Sequence, residues 1–223
     1  MSQTTVTINT LYWPNTDPDI VKAHSDVMNH FDLPVGYTVH QMPHGMWMDA
    51  VMEQCESDIV CFFDIDCVPT NKAVIDAAVD YVTRTKSFVG ISQVSNHIKP
   101  CSHIFAAPAF FMIWRETWLK MNKPTFAEQV KCDVGENVSY TAEMMGLKYK
   151  TLFPTHYYRR PENERWFLHS YGEYGIGTHF EGGIFHLYQG RHPQNQQLFK
   201  DVCASIIDGT FSLEQFRPCR HEF

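Results

Sequence analysis

Asp64 and Asp66 stand two residues apart, after the apolar run Ile59-Val60-Cys61-Phe62-Phe63 and before Cys67-Val68-Pro69-Thr70. Two carboxylates this close repel each other unless a cation lies between them, and a hard divalent ion that itself holds a diphosphate is the natural third party. Alternate residues of an extended chain point the same way, so both acids are expected on one face with Cα atoms roughly 6.5–7 Å apart. At the carboxyl end of a parallel strand that face opens into the crevice where open α/β sheets bind ligands. The implied chemistry is that of a metal-dependent enzyme acting on a phosphorylated donor. Taken alone, an Asp-x-Asp pair is equally a pair of solvated turn carboxylates, and the apolar strand before it argues for a sheet edge.

The elements around the pair alternate. Thr4 to Tyr12 reads as a β-branched strand, and a helix follows from about Pro18 to Phe31. Val35 to Gln41 is a second strand, Met46 to Cys55 a helix, and the Asp64/Asp66 strand comes next. A helix from Asn71 to about Arg84 and a strand at Phe88 to Ser92 close this half. The alternation predicts an α/β fold, with a largely parallel sheet and helices on both faces. Phe105 to Trp114 reads as a strand broken by Pro108, Gly135 to Gly146 as a helix, and Tyr149–Phe153 and Gly183–Tyr188 as strands. Pro193 to about Ile207 is a closing helix, and Tyr157 to Gly182, rich in Arg, Glu, Gly, His and Tyr, reads as a mobile loop over an active site.

Composition narrows the classes. Of the 223 residues 44% are hydrophobic, ample for a packed core, and the formal charge of −7 leaves no basic stripe for a nucleic acid. The amino terminus lacks a basic leader and apolar core, and no stretch reaches the eighteen apolar residues of a membrane span. Seven cysteines without a C-x-x-C pair read as buried free thiols in a reducing cytoplasm. One rival chemistry shares the Asp-x-Asp pattern. Haloacid-dehalogenase-like phosphatases carry Asp-x-Asp-x-Thr/Val after an apolar strand, and Asp64, Asp66 and Val68 fit that spacing. There the first Asp is a nucleophile, but the motif ends the first strand of its fold and needs later acids that have no counterpart here.

Taken in order, the segments resemble GT-A-type glycosyltransferases, the nucleotide-sugar-dependent class with a Rossmann-like half and an Asp-x-Asp metal motif. The similarity covers roughly Val6 to Arg191. His44-Gly45-Met46-Trp47-Met48-Asp49 resembles their His-Gly segment before the second helix, and Phe62 to Pro69 their metal strand. Cys132-Asp133-Val134-Gly135-Glu136 is similar to the acidic segment opening the acceptor-side helix, and Phe185-His186-Leu187-Tyr188 to the late strand whose His completes the metal shell. The resemblance implies a single-domain GT-A (Rossmann-like) α/β fold over 1–223, with a central, mostly parallel mixed sheet flanked by helices. A nucleotide-sugar-binding half would occupy about 4–92, an acceptor-side half about 93–192, and a C-terminal helix and tail 193–223.

It also implies a site. Asp66, Asp64 and His186 would hold manganese or magnesium, with His179 the nearby substitute for His186. The donor would be a nucleotide diphosphate sugar, a UDP-sugar favoured over a GDP-sugar. Tyr12 could stack on the base, Asp49 could bond the base or ribose, Ile65 would lie against the nucleotide between the two acids, and Arg191 could meet the diphosphate. Asp133 is the candidate general base of an inverting transfer, with Glu136 one turn on as the alternative. Each residue has an ordinary structural role to set beside these: core histidine, helix cap, surface ion pair. Trp114, Trp118, Tyr157, Tyr158, Trp166, Tyr171 and Tyr174 could line a cleft for a glycan or other hydroxyl acceptor, or simply pack. The organisation points to a cytoplasmic bacterial or viral enzyme. A phosphatase, a silent nucleotide-sugar-binding domain and a nucleotidyltransferase are the rivals.

Overall fold

The computed structural model describes residues 4–95, 103–162, 165–169 and 172–219. Its first half alternates: β1 (Val6–Tyr12), α1 (Pro18–His30), β2 (Val35–Val39), α2 (His44–Gln54), β3 (Ile59–Phe63), β4 (Cys67–Pro69), α3 (Lys72–Thr85) and β5 (Phe88–Val94). Then come β6 (Ile104–Trp114), α4 (Arg115–Lys120), α5 (Glu136–Met144), β7 (Lys150–Leu152) and β8 (Pro154–Arg159). The chain ends with β9 (Trp166–Phe167), β10 (Glu173–Tyr174), β11 (Ile176–Phe180), β12 (Ile184–His186), α6 (Pro193–Ile207) and β13 (Arg217–Pro218). Local chemistry sets the helix ends. Asp17 accepts from the Asp19 N–H ahead of α1, with Pro18 in the first turn. Asn71 accepts from the Val74 N–H ahead of α3, which stops at Lys86 in the left-handed region.

The central sheet runs β2-β1-β3-β6-β5-β7. The β1/β2, β1/β3 and β5/β7 pairs are parallel, while β6 lies antiparallel to both neighbours. This is the mixed, mostly parallel, helix-flanked sheet that the alternation predicts. From β1 the chain steps outward to β2 and returns to the other side of β1 as β3, which makes the carboxyl ends of β1 and β3 a topological switch point.

β3 is buried on both sides. Ile59, Cys61 and Phe63 pack with Val74, Ile75 and Val82 of α3, while Val60 and Phe62 pack with Trp47 and Met48 of α2 and Val138 of α5. Each large side chain removed from water contributes about 1.5–3 kcal/mol, so these two faces anchor the strand that carries the acids. At Gly45 any side chain would run into the backbone of Phe126 and Ala127, so the glycine lets α2 seat against that loop.

Two expectations need correction. Pro108 does not break β6. The β5/β6 register jumps from Gly90↔Phe111 to Ile91↔Ala107, and the proline sits in this bulge, where its missing N–H leaves no ladder bond unmade. Nor is 157–182 a loop: its described residues hold half of β8, the β9/β10 hairpin and β11. β8 and β11 belong to a second, antiparallel sheet of order β13-β8-β11-β12-β4. The six described cysteines are free. Among the described residues no helix is long and apolar enough to cross a membrane.

Candidate active site

The Asp64/Asp66 pair lies at the seam between the two sheets. The expected extended geometry does not hold: β3 ends at Phe63, and Asp64 to Asp66 form a turn closed by the Cys67 N–H donating to the Asp64 carbonyl at 3.0 Å. The chain must change sheets here, and a tight turn is the shortest way to do so. The backbone of each acid is tied to a different neighbour. The Asp64 N–H donates to the Ala109 carbonyl of β6 at 2.9 Å, and the Asp66 carbonyl accepts from the Leu187 N–H at 2.9 Å.

Strand register delivers the third group. β12 pairs antiparallel with β4 so that His186 faces Cys67, next to Asp66. One donor atom from each of Asp64, Asp66 and His186 lies within 4.8 Å of the others. His186 Nε2 is 3.6 Å from Asp66 Oδ1. That is long for a hydrogen bond, yet it suits two donors of one ion with bonds of about 2.1 Å. His186 Nδ1 and the Tyr188 hydroxyl are buried beside the cluster with no hydrogen-bond partner among the described residues. Two carboxylates and one imidazole, beside these polar atoms, fit a divalent ion such as manganese. His179 does not join them. It pairs with Phe185 on β12 while Thr178 pairs with His186, so the pleat turns His179 to the other face. There it bonds the Thr155 hydroxyl at 2.9 Å, and burial, then His156, push its pKa down to about 4.

A cavity of about 810 Å³ opens from the pair. It is lined by Leu11, Tyr12 and Trp13 at the end of β1, by Asn15, Thr16 and Asp17 after it, and by Gln189 to His192. Tyr12, Ile65 and Arg191 all line this cavity, and the Arg191 guanidinium lies 5.0 Å over the Trp13 ring. Asp49 does not line the cavity: its carboxylate accepts from the Phe126 N–H at 2.8 Å and from the Thr125 hydroxyl.

Asp133 and Glu136 also lie outside the cavity lining, along β6. Gly135 packs against Pro108, one residue from the carbonyl that holds the Asp64 N–H. Asp133 is half-buried and accepts from Gln93 Nε2 at 3.1 Å and the Val134 N–H at 2.8 Å. Glu136 is fully buried; it accepts from the Asp133 N–H at 2.7 Å and contacts His103 Nδ1 at 2.7 Å. Of the aromatic candidates, Trp114 and Trp118 are core residues and Tyr157 is buried. Trp166 and Tyr174 gather on Tyr188, which lies edge-on to His186 with centroids 4.3 Å apart. Tyr171 lies outside the described residues.

Three residues to which the sequence alone gives no role, His44, Trp13 and Gly190, also lie at the site. His44 opens α2 stacked on Trp47, and its Nε2 comes within 3.2 Å of Asp64 Oδ1, though without hydrogen-bond alignment. A histidine in the first turn of a helix whose loop reaches the sheet edge was the available signal. Gly190 lies so close to Asp66 that a side chain there would strike Oδ2. Only the structure reveals that contact.

No protein-family model matches the sequence, and no curated protein matches it. Several solved structures are similar to it at low identity. A mannosyltransferase from Pyrobaculum calidifontis, in complex with GDP-Man and Mn2+, is 14% identical with a TM-score of 0.47, over 67% of this chain and 55% of that one. A protein from STIV is 14% identical with a TM-score of 0.44, over 65% of this chain and 80% of that one. A CMP:2-keto-3-deoxy-manno-octonic acid synthetase complexed with CTP is 9% identical with a TM-score of 0.44, over 67% and 90%.

Proposed function

We propose that the chain is a metal-dependent glycosyltransferase that moves a sugar from a nucleotide diphosphate sugar to an acceptor hydroxyl. The observation that carries this reading is the Asp64/Asp66/His186 cluster at the switch point of the sheet, opening on a cavity of about 810 Å³. That volume suits a ligand of nucleotide-sugar size. A divalent ion held by these three side chains would neutralise the negative charge that develops on the leaving diphosphate. The phosphatase reading needs further acids beside the pair, and among the described residues the third member is a histidine.

The chain's own groups divide the remaining work. Tyr12 and Trp13 offer ring faces to the nucleotide base, and Arg191 offers a fork of donors to the diphosphate oxygens. Asp133 is favoured over Glu136 as general base. Glu136 is sealed from solvent and braces the turn, whereas Asp133 keeps partial exposure. Asp133 would take the proton of the acceptor hydroxyl as that oxygen bonds to the anomeric carbon and the bond to the diphosphate breaks, which inverts configuration. A cytoplasmic setting, manganese or magnesium as the ion, and a UDP-sugar before a GDP-sugar as donor belong to the same reading.

The test is thermal unfolding with UDP or GDP, each with manganese and with excess chelator. A ligand at a hundredfold excess over Kd adds about 2.7 kcal/mol to stability. The expected result is a metal-dependent rise with one diphosphate, lost in Asp66→Ala, and sugar transfer from the matching donor that Asp133→Asn abolishes while binding persists. Transfer that survives Asp133→Asn would reassign the base. A folded protein with no shift for either nucleotide would overturn the donor assignment.

A further inference from the structure

The loop after β12 carries Gly190 and Arg191 to the cavity, and one buried side chain holds it there. Asn195, in the first turn of α6, is 1% exposed. Its Nδ2 donates to the Gln189 carbonyl at 2.9 Å, and its Oδ1 accepts from Arg159 Nη2 of β8. The same Gln189 carbonyl accepts from the His192 N–H at 3.2 Å, and Gln189 itself adopts φ +58°, a left-handed conformation that a non-glycine residue holds at a cost. The next residue, Gly190, lies against Asp66 with no room for a side chain. On the near side of this loop the Leu187 N–H holds the Asp66 carbonyl. A buried amide that spends its donor on one strained carbonyl, and its acceptor on the neighbouring sheet, fixes where the following residue lands.

We propose that Asn195 is a positioning residue for the metal centre: its amide holds Gln189 in the left-handed turn so that Gly190 backs the Asp66 carboxylate. This rests on the reading of Asp64, Asp66 and His186 as metal ligands. Carboxylate rotation about the side-chain bonds is soft, so a wall behind Oδ2 restricts the orientations in which it can act as a ligand. Nothing in the sequence marks Asn195, since its role depends on a turn formed six residues earlier.

The experiment measures Mn2+ binding to the full chain by the loss of the free-ion EPR signal. It compares wild type, Asn195→Ala, Asn195→Asp and Asp66→Ala at low temperature, with amide hydrogen exchange over residues 187–192. Asn195→Asp keeps the acceptor for Arg159 and turns the donor to Gln189 into a carboxylate oxygen facing that carbonyl, so it reads the clamp even where the alanine variant fails to fold. The expected result is a Kd for Mn2+ raised about tenfold or more in both Asn195 variants, with faster exchange across 187–192. A purely structural asparagine would lower the melting temperature and leave the Kd of the folded protein unchanged; that outcome overturns the proposal and leaves the metal site standing. If wild type binds no Mn2+ and matches Asp66→Ala, the metal reading and the positioning role fall together. Exchange at 187–192 then shows separately whether Asn195 holds the loop.

Discussion

Replacing Gly190 by alanine separates the fold from the site. The new methyl group would occupy space held by Asp66 Oδ2, with Cγ 3.4 Å and Cβ 3.6 Å away in ordinary contact. The clash is therefore with the free end of a side chain, which can turn aside. Moving a side chain some 30° from its rotamer costs about 0.5–1.5 kcal/mol, and for a chain of this size each kcal/mol lowers Tm by roughly 2–4 °C. The melting temperature in chelator should thus fall by only a few degrees. Metal binding should suffer more, because ligand distances tolerate only about 0.2 Å and the displaced oxygen must move by more than that. Loss of a well-placed donor should raise the Kd for Mn2+ about tenfold or more, equivalent to at least about 1.4 kcal/mol. Titration of free Mn2+ by EPR, alongside melts in chelator, reads both quantities. Unchanged Mn2+ affinity in a folded Gly190→Ala protein would refute the reasoning, because Asp66 Oδ2 would then not be a ligand held in this orientation.

Three further outcomes follow from the same geometry. His186→Ala should weaken Mn2+ binding at least tenfold whereas His179→Ala leaves it unchanged, since the pleat turns His179 away; equal losses in the same titration would contradict the register argument. Gly45→Ala should destabilise the fold by about 1–3 kcal/mol in urea unfolding, because the methyl meets backbone of Phe126 and Ala127 that cannot swing aside. Burial pushes the His24 pKa from 6.5 down to about 3, against the pull of Asp66, and that of His179 from 6.5 to about 4. Both stay neutral in the folded chain where the unfolded chain binds protons. Stability is therefore full above about pH 6.5 and falls as the medium is acidified through the window down to pH 3–4, by up to roughly 1.4 kcal/mol per histidine per pH unit. Urea unfolding in chelator from pH 7 to 5 measures that slope, and a flat profile in His24→Gln, His179→Gln double variants would assign it to these two rings.

The first half of the fold was legible because its signals are local. An unbroken apolar run of five, Ile59 to Phe63, has one stable destination, a strand covered on both faces. Helix caps at Asp17 and Asn71 are likewise written in the sequence. The second sheet was only partly legible: β12 falls within the run Gly183–Tyr188 that reads as a strand, but β11 and half of β8 lie in 157–182, and β4 and β13 have only three and two residues. Their hydrophobic period is too short to read, and Arg, His and Tyr within them resemble loop composition. Asp64, Asp66 and His186 do lie together, but a turn rather than the expected extended strand brings the acids there. The contacts that decide among neighbouring candidates are non-local. Register on β12 sets His186 apart from His179, burial sets Asp133 apart from Glu136, and the 124–127 loop occupies Asp49.

The seam at Asp64–Asp66 bears on the order in which the molecule assembles. β4 finds its partner β12 more than a hundred residues later, so closing that loop is among the entropically costlier steps. Before it closes, the two carboxylates would lack the imidazole of His186. A cation that prefers the complete triad would act as a rivet between the two sheets: each tenfold rise in its concentration above Kd adds about 1.4 kcal/mol to the docked state. The late-formed sheet would then be the part of the chain whose persistence tracks the metal supply.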